Sequence, residues 1–474
     1  MVDTSGIIGA VFIIYGLTML WIGYTVSRST YSPTDFFLAN RSLKAWVTAV
    51  SSTASSESAW AVLGTVGLAY KEGLSALWFF PGCLLGYALN WIFVAERLRK
   101  HSREKNSLTI PDYLETYFPD NSDLIRIISV TIIFACMMAY TAAQFLAIGK
   151  TFDAIFGIPH LVSIPIGGTI IIIYTMMGGF RAVAWTDFIQ GLIMVIGLVL
   201  LSLAAVLELG GFSAMIHQVN EVSPIALTWM GGKTTSVFLG SMVGLLGIGL
   251  GYPGQPHVIN RYMAAKDSKT IKQGMWIAFS WGTLMYISAI LLGISGQVLF
   301  PGLADPEHLF PTAAENLLPT FLTAIVLTGV LAAIMSTVSS QIIVAASAIA
   351  HDIYSKVIHS SLSPNRILSI SRLTIFWVGL VAMLVALIDT RVIFWFVLFA
   401  WSGLGASFGP VILFTLYSKK ITSSGAISGM LTGFFTTVIW KTTGLSDDII
   451  YELVPAFLLS SFVIWIMRRR QPIR

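Results

Sequence analysis

Residues 51–58 read SSTASSES and lie near the middle of an apolar stretch that runs from residue 45 to residue 69. Seven of these eight residues are polar. Serine and threonine can hydrogen bond to carbonyls of their own helix or to neighbouring helices, but an acidic residue deep in a membrane costs at least about 2.5 kcal/mol on insertion scales. Glu57 is therefore predicted to be functional, although a protonated side chain or a structural partner would also account for it.

A second apolar stretch is interrupted at residues 244–257, which read GLLGIGLGYPGQPH. Five glycines and two prolines in fourteen positions cannot form a regular helix throughout, because glycine weakens a helix interior and proline removes a backbone donor. Close helix packing would explain the glycines, but the two prolines favour a break. Interrupted helices at corresponding places in two halves of a chain are typical of the midplane site of an inverted-repeat transporter.

The composition around both stretches is that of a membrane protein. Of the 474 residues, 55% are hydrophobic and 11% are charged, whereas a soluble domain carries about 25% charged residues. A crossing needs about 20 apolar residues, and it must be helical because lipid cannot satisfy bare backbone groups. The sequence predicts an all-α membrane protein of about 13 transmembrane helices, at residues 6–27, 45–69, 75–95, 127–155, 161–179, 186–208, 237–258, 274–299, 319–346, 370–388, 392–416, 424–440 and 451–467.

Basic residues are distributed unequally between the two sides that these spans define. Only five of the 28 lysines and arginines fall on one side, namely Lys71, Lys150, Lys233, Arg391 and Lys441. Because cytoplasmic loops are enriched in lysine and arginine, the chain is predicted to lie in a plasma (inner) membrane with its N-terminus outside and its C-terminus in the cytoplasm. The net charge of +5 is explained by this topology, so no nucleic-acid partner is predicted.

The two interrupted stretches are the second and seventh of these spans. Their spacing predicts one repeat of spans two to six, residues 45–208, and a second repeat of spans seven to eleven, residues 237–416. Consecutive repeats of five spans each are necessarily inserted in opposite orientations. Residues 6–44 form an extra first helix and loop in this prediction, and residues 424–474 form two extra helices and a short tail of the same single domain.

A third group of polar residues occurs in span nine, where residues 332–341 read AAIMSTVSSQ. Ser336 and Ser340 share one helix face, because residues four apart are neighbours on a helix. Hydroxyl groups in this arrangement often serve helix packing in membranes, and the pattern alone does not separate packing from ion binding.

Several motifs resemble the sodium:solute symporter family, and they match its sodium/proline symporters closely. Their order and spacing follow that family along nearly the whole chain. The matching segments are residues 39–43 (ANRSL), 108–113 (LTIPDY), 178–187 (GGFRAVAWTD), 249–252 (GLGY) with 254–257 (GQPH), and 403–410 (GLGASFGP).

The resemblance implies a LeuT-type 5+5 inverted repeat that works by alternating access and is driven by the sodium gradient. In this family one sodium ion lies between the first and the eighth helix of the repeat core. The positions that match its ligands are the carbonyls of Ala54, Glu57 and Ala333 and the hydroxyls of Ser336 and Thr337. Five oxygen ligands suit a small hard cation.

The resemblance also implies a solute site. Its matching positions are Tyr140, Tyr252 and Pro256, with Ser56, Glu57 and Ile248 as further predicted neighbours of the solute. For the two tyrosines alone, core packing would be the common role. Asp187 and Arg41 match positions for which we predict a gating or network role.

Four positions depart from the usual pattern of proline symporters. Those proteins commonly have Asp, Met and Gly where this chain has Ser56, Glu57 and Ala59, so the carboxylate has moved by one residue, or about 100° around a helix. They also carry tryptophan at the position of Ile248, so one wall of the expected proline pocket is missing.

The sequence therefore predicts sodium-coupled uptake of proline or a related small amino acid. One alternative is a different organic solute, such as another amino acid, a cationic compound or an organic acid, with Glu57 binding an ammonium group or a proton. A second alternative is a membrane sensor that reuses a transporter core. An enzyme is not predicted, because the sequence shows no nucleophile with a base and no metal-spaced histidine cluster.

Overall fold

The structure is a computed structural model that describes residues 4–358, 363–388, 393–418 and 420–468. It is almost entirely helical, and the only β pairing in the described ranges is an isolated bridge between Leu43 and Ala265. The predicted all-α class is thus confirmed. The α-helices are α1 (Thr4–Ser27), α2 (Pro33–Leu38), α3 (Ala45–Ser56), α4 (Thr65–Glu72), α5 (Phe79–Ala88), α6 (Ala95–Glu104), α7 (Ile110–Tyr117), α8 (Ser122–Phe156), α9 (His160–Glu208), α10 (Phe212–Val222), α11 (Thr235–Gly247), α12 (Pro256–Ala264), α13 (Ser268–Leu299), α14 (Leu309–Leu317), α15 (Thr320–Ser347), α16 (Pro364–Ile388), α17 (Ile393–Tyr417), α18 (Ser423–Thr442), α19 (Leu445–Asp448) and α20 (Leu453–Ile466).

A helical segment occupies each of the thirteen predicted spans where the structure describes them. By length and hydropathy, nine helical runs of the described part of the chain could cross a membrane. Two of the nine, Trp60–Glu104 with 45 residues and His160–Glu208 with 49 residues, are long enough for two crossings of about 20 residues each, and α20 is shorter than most crossings,. The number of crossings therefore stays a prediction.

Predicted spans five and six form one helical run, α9, that turns back at Gly179. Gly179 has φ 58° and ψ −150°, a conformation open mainly to glycine. In a straight helix Tyr174 and Asp187 would lie about 20 Å apart. Both instead contact neighbouring turns of α15: the Tyr174 hydroxyl donates to the Met335 carbonyl (3.2 Å), and the Ser340 hydroxyl donates to Asp187 (3.3 Å). The two halves of α9 therefore lie side by side.

The predicted break in span two lies at the end of α3. Glu57 has φ −99° and ψ 98°, so the backbone is extended where the next helical turn would begin. The chain resumes as a π-helical turn at Trp60–Gly64 and continues into α4. Because the extended residue interrupts the i→i−4 bonding, backbone groups near Glu57 become available to other partners.

The predicted break in span seven separates α11 from α12. Residues Ile248–Gly254 form a 3₁₀ segment, and Gln255 is extended with φ −93° and ψ 101°. A Cβ atom at Gly251 would collide with the Trp401 indole of α17, so glycine allows this indole to lie against the backbone there. Pro256 begins α12, the position at which proline lacks only a backbone donor that no helix bond would use.

Helix α15 lies at the centre of the molecule. Every residue from Val326 to Ser347 is buried, and the helix packs against α3, α8, α9 and α16. The hydroxyl-rich face of predicted span nine is therefore inside the protein, next to the broken span two.

Candidate ion and solute site at the two broken helices

The two breaks enclose a small cavity together with α8 and α17. Five residues that the sequence predicted to contact a solute meet in it: Ser56, Glu57, Tyr140, Ile248 and Tyr252. The sequence did not predict its three other lining residues, Trp60, Val397 and Trp401. The cavity volume is about 20 Å³, which is room for one water molecule and not for an amino acid. A solute would require these side chains to move apart.

The Glu57 carboxyl lies within a cluster of hydroxyl groups. Its Oε1 accepts from the Tyr252 hydroxyl at 2.7 Å, from the Tyr87 hydroxyl at 3.2 Å and from the Ser56 hydroxyl at 3.3 Å. The Tyr286 hydroxyl lies 3.5 Å from that of Tyr252. Glu57 is 1% exposed, so its hydrogen bonds are made away from bulk water.

Aromatic rings hold this cluster in place. The Tyr252 ring packs edge-on against Tyr87 (centroids 5.3 Å apart) and against Trp401 (4.9 Å). The Trp401 indole nitrogen donates to the Ile248 carbonyl at 3.3 Å. Proline symporters commonly carry a tryptophan at the position of Ile248. In this chain the Trp401 indole of α17 lies beside Ile248 instead and forms an aromatic wall there.

Pro256 is the one predicted solute contact that does not line the cavity. It is buried at the start of α12, and the preceding Gln255 donates to the Trp401 carbonyl at 2.9 Å. His257, which follows, meets the Tyr140 ring edge-on at 6.3 Å. The segment thus packs around the cavity wall, and a direct contact between Pro256 and a solute stays a prediction.

Four of the five predicted sodium ligands converge between α3 and α15. The Ser336 hydroxyl donates to the Ala54 carbonyl at 3.0 Å and to the Ala333 carbonyl at 3.1 Å. The Thr337 hydroxyl contacts the Ala333 carbonyl at 3.1 Å and the Ser55 carbonyl at 3.3 Å. These uncharged oxygens from two helices are the ligand type that a hard cation takes.

The fifth predicted ligand, the Glu57 carbonyl, is not joined to this group by any contact described above. The neighbouring Ser55 carbonyl takes the contact with Thr337 instead. The Ser55 hydroxyl is buried without a hydrogen-bond partner among the described residues, and a buried polar atom without a partner indicates capacity for a ligand or water. The oxygens present fit a sodium ion, and Ser55 is an additional residue that sequence reasoning missed.

Asp187 lies on the second half of α9 in a buried ion pair. Arg261 of α12 donates from Nη2 to Asp187 Oδ2 at 2.6 Å, and both side chains are 0% exposed. The Ser51 hydroxyl of α3 donates to the same oxygen at 2.8 Å, and Ser340 of α15 contacts Asp187 and Arg261. One ion pair therefore connects four helices, which include both broken spans.

Arg41 lies in a different network, at the loop before α3. Its guanidinium donates to the carbonyls of Ser102 (3.1 Å), Ser107 (2.8 Å) and Met263 (3.4 Å). Burial and the nearby Arg103 lower the pKa of Arg41 to about 10, so the side chain keeps its charge at neutral pH. Arg41 and Asp187 therefore belong to separate networks.

Sequence reasoning also missed Tyr87, Tyr286, Trp401 and Arg261. Arg261 is one of the 23 basic residues on the predicted cytoplasmic side, and its place five positions after Pro256, close to the second break, is a signal for a position inside the protein. Tyr87, Tyr286 and Trp401 lie in predicted spans three, eight and eleven, where no sequence motif distinguishes them from other apolar residues of the span.

Comparison with known proteins gives one family. A model of the sodium:solute symporter family matches residues 36–433. The chain is 37% identical over 457 residues to the high-affinity proline transporter PutP of Bacillus subtilis, covering 95% of this chain and 96% of that protein. It is 34% identical over 459 residues to the sodium/proline symporter of Escherichia coli, covering 95% of this chain and 90% of that protein.

A solved structure has a similar fold. A Na⁺-coupled sialic acid symporter in a substrate-bound, outward-open state superposes with a TM-score of 0.80 at 20% sequence identity. The match covers 98% of this chain and 99% of that one.

Proposed function

Because this chain belongs to the sodium:solute symporter family, we propose that it is a secondary active transporter that takes up proline or a related small amino acid together with sodium. The observation that carries the proposal is the pair of broken helices, whose interruptions enclose a cavity and adjoin a group of convergent uncharged oxygens. The transport needs no covalent chemistry. We place the protein in the plasma membrane with its N-terminus outside, as the basic residues predict.

Sodium is proposed to bind between α3 and α15, at Ala54, Ala333, Ser336 and Thr337, with Ser55 or Glu57 as a further carbonyl donor. An ion held by both helices stabilises the arrangement in which the two are in contact. If that arrangement also forms the solute site, sodium raises the population that binds solute, and solute must tighten sodium binding by the same factor.

The solute is proposed to bind in the cavity between the two breaks. Tyr140 and Tyr252 are positioned to cover the apolar body of an amino acid, and Trp401 lies beside Ile248 where a wall is needed. Backbone amides freed by the break before Pro256 are suitable donors for a solute carboxylate. The small cavity volume requires Tyr252 or its neighbours to move when a solute enters.

Asp187 and Arg261 are proposed to hold the cytoplasmic ends of the broken spans together. Release toward the cytoplasm would then require this buried ion pair to separate or to move as a unit with its helices. Arg41, which joins the loop before α3 to the end of α12, is proposed to support the same end of the molecule.

The test is uptake of radiolabelled proline by proteoliposomes that contain the purified protein, with and without an inward sodium gradient. Accumulation only with the gradient supports the proposal, and equal uptake under both conditions contradicts it. A sensor would bind the solute without accumulating it. A double variant, S336A/T337A, serves as the matched control because it removes two proposed sodium ligands and leaves the cavity lining intact.

Transport of a different organic solute is the second candidate function. It is supported by Glu57 and Ile248, which depart from the usual pattern of proline symporters. Competition for uptake between proline and other amino acids, betaines, pantothenate and sugars shows directly which solute the protein prefers. Stronger inhibition by another class of compound than by proline would assign the protein to that solute.

A further inference from the structure

His351 is a buried histidine on the predicted cytoplasmic side of the molecule. It lies in a π-helical segment, Ala348–Ile358, that continues from α15, and it is 5% exposed. Phe37 of α2 packs against its ring, with the centroids 5.5 Å apart. Neither ring nitrogen has a hydrogen-bond partner among the described residues. A buried imidazole whose nitrogens are both without partners indicates capacity for a ligand.

Two buried carboxyl groups lie beside this ring. Asp112 of α7 is 4% exposed, and Asp352, which follows His351 in the chain, is 0% exposed. Asp112 Oδ2 accepts from the Leu108 amide at 2.8 Å and lies 3.6 Å from His351 Nε2. One possible ligand atom from each of the three side chains lies within 4.8 Å of the other two. Three side chains that can bind a metal ion therefore converge from two elements.

The contacts around the two carboxyl groups hold each of them from one side. Asp352 Oδ1 accepts from the Thr109 hydroxyl at 2.7 Å and from Arg126 Nη1 at 3.4 Å. Arg126 also donates from Nη2 to Asp112 Oδ1 at 3.3 Å. Asp352 Oδ2, in contrast, has no hydrogen-bond partner among the described residues. Outer partners of this kind orient the side chains that bind a metal ion, and they leave the second oxygen of Asp352 available.

The charges around the three side chains favour an additional cation. Three acids, Asp112, Glu115 and Asp352, form ion pairs with only two bases, Arg126 and Lys356. Of the two bases, Lys356 is held more loosely, because its Nζ lies 3.9 Å from Asp112 Oδ1 and its side chain is 46% exposed. A bound cation would offset the excess negative charge. A proton on the imidazole would do the same, and a measurement of metal binding distinguishes the two.

The three side chains select a class of metal ion. Imidazole together with carboxylates binds first-row transition metals such as zinc and cobalt, whereas hard cations take oxygen ligands. The imidazole thus distinguishes this site from the proposed sodium site. Ligand atoms around a tetrahedral zinc ion lie about 3.4 Å apart, close to the 3.6 Å between His351 Nε2 and Asp112 Oδ2. A rotation of the Asp352 side chain would bring its free oxygen to the same spacing.

We propose that Asp112, His351 and Asp352 bind a divalent first-row transition metal ion such as Zn²⁺, with a water molecule as the fourth ligand. The inference goes beyond the proposed transport function and does not depend on which solute is carried. The bound ion would link α7 to the segment that continues α15. It would thereby hold the predicted cytoplasmic end of α15 in the observed arrangement.

The test is equilibrium dialysis of the purified full-length protein, without a histidine tag, against Zn²⁺. The wild type should bind one Zn²⁺ per chain. His351→Leu removes the nitrogen ligand and should weaken binding about tenfold or more, since loss of even an outer partner of a ligand typically costs about 10–100-fold. His217→Leu is the matched control, because the His217 side chain is 76% exposed on α10, and it should bind Zn²⁺ like the wild type.

A second readout is the melting temperature. Zn²⁺ should raise the melting temperature of the wild type and of His217→Leu but not that of His351→Leu, because an ion that binds only the folded protein stabilises it. A wild-type protein that binds no Zn²⁺ would overturn the proposal and leave His351 as a partner of Asp112 alone. Equal binding by the wild type and His351→Leu would also overturn it.

The proposal stays testable if His351→Leu does not fold. The X-ray absorption spectrum of Zn²⁺ bound to the wild type then reports its ligands directly. One imidazole together with oxygen ligands supports the proposed site. A spectrum without imidazole, or with two or more imidazoles, would place the ion elsewhere in the protein and contradict the proposal.

Discussion

Two carboxyl groups are buried in this molecule in opposite ways. Asp187 is paired with the guanidinium of Arg261 at 2.6 Å and contacts two serine hydroxyls. Glu57 instead accepts hydrogen bonds from hydroxyl groups of two tyrosines and a serine. Both are at most 1% exposed. Burial alone therefore does not determine what an acid does, and the decisive difference is whether a fixed cation accompanies it.

The difference indicates separate tasks. The ion pair of Asp187 has a fixed counter-charge and two serine hydroxyl contacts, so it can connect helices in a defined arrangement. The charge of an acid surrounded by hydroxyl groups depends on what binds beside it. A hydroxyl group can hydrogen bond to the ionised carboxyl and to the protonated carboxyl, so the surroundings accept both charge states. The role predicted for the paired acid is to hold helices together, and the role predicted for the unpaired acid is to bind an ammonium group or a proton.

The largest effect is expected from Arg261→Met, which makes Asp187 resemble Glu57 by removing its cation. Loss of one partner of a buried pair typically costs about 3–5 kcal/mol. We expect a large fall in the melting temperature of the purified protein and loss of uptake. A melting temperature equal to that of the wild type would show that the pair does not hold the four helices together.

Converting each carboxyl to an amide should affect the two acids unequally, with the smaller effect at Glu57. Asp187→Asn leaves Arg261 buried without a counter-charge and should destabilise the protein strongly. Glu57→Gln keeps a neutral hydrogen-bonding group of similar size and should cost about 1 kcal/mol, measured by thermal unfolding. It should also flatten the dependence of uptake on pH between about pH 5.5 and about pH 8.5. Equal destabilisation by both changes would remove the distinction between the two acids.

The hydroxyls of α15 offer a sharper comparison, because neighbouring residues on one helix serve the two regions. Ser336→Ala and Thr337→Ala each remove a proposed sodium ligand and should raise the sodium concentration for half-maximal uptake by about tenfold, or about 1.4 kcal/mol. Ser340→Ala alters the contacts of Asp187 and should leave that sodium concentration unchanged while lowering thermal stability. A sodium requirement that moves equally in all three variants would contradict the assignment.

The smallest effect is expected from removing single phenol hydroxyls. Tyr252→Phe keeps the ring in the cavity wall but deletes the donor to Glu57, and a lost hydrogen bond of this type costs about 1 kcal/mol. We expect weaker proline binding by a few-fold and an altered pH dependence. Tyr140→Phe should weaken binding without altering the pH dependence, since the Tyr140 hydroxyl is not among the hydrogen bonds of Glu57 described above. Binding of sodium without proline should persist in both, as measured by equilibrium binding to the purified protein.

The two breaks could be predicted from the sequence because their causes are local. A helix is weakened by the polar residues around Glu57 and by the proline and glycine residues between Ile248 and Pro256. This weakening does not depend on which helices pack against it. The sodium-binding role predicted for Ser336 and Thr337 comes from the family resemblance, since a hydroxyl face alone also fits helix packing.

The partners of these residues could not be predicted in the same way. Asp187 and Arg261 are separated by 74 positions, and Glu57 and Tyr252 by 195, so their pairing depends on how the helices pack. The Ser55 carbonyl contacts Thr337 because of the backbone angles at the break, which no residue pattern specifies. The bounds of predicted spans five and six already placed a reversal after residue 179, but that it takes place at a single glycine, Gly179, without a loop could not be predicted.

In the proposed account of coupled transport, sodium binds between α3 and α15 and the solute binds between the two breaks, so both sites include the break after α3. The decisive measurement is equilibrium binding of labelled proline to the purified wild-type protein over a range of sodium concentrations. We expect sodium to tighten proline binding and proline to tighten sodium binding by the same factor, as linkage requires, and S336A/T337A to remove most of both effects. Proline binding that is independent of sodium in the wild-type protein would contradict the proposed coupling.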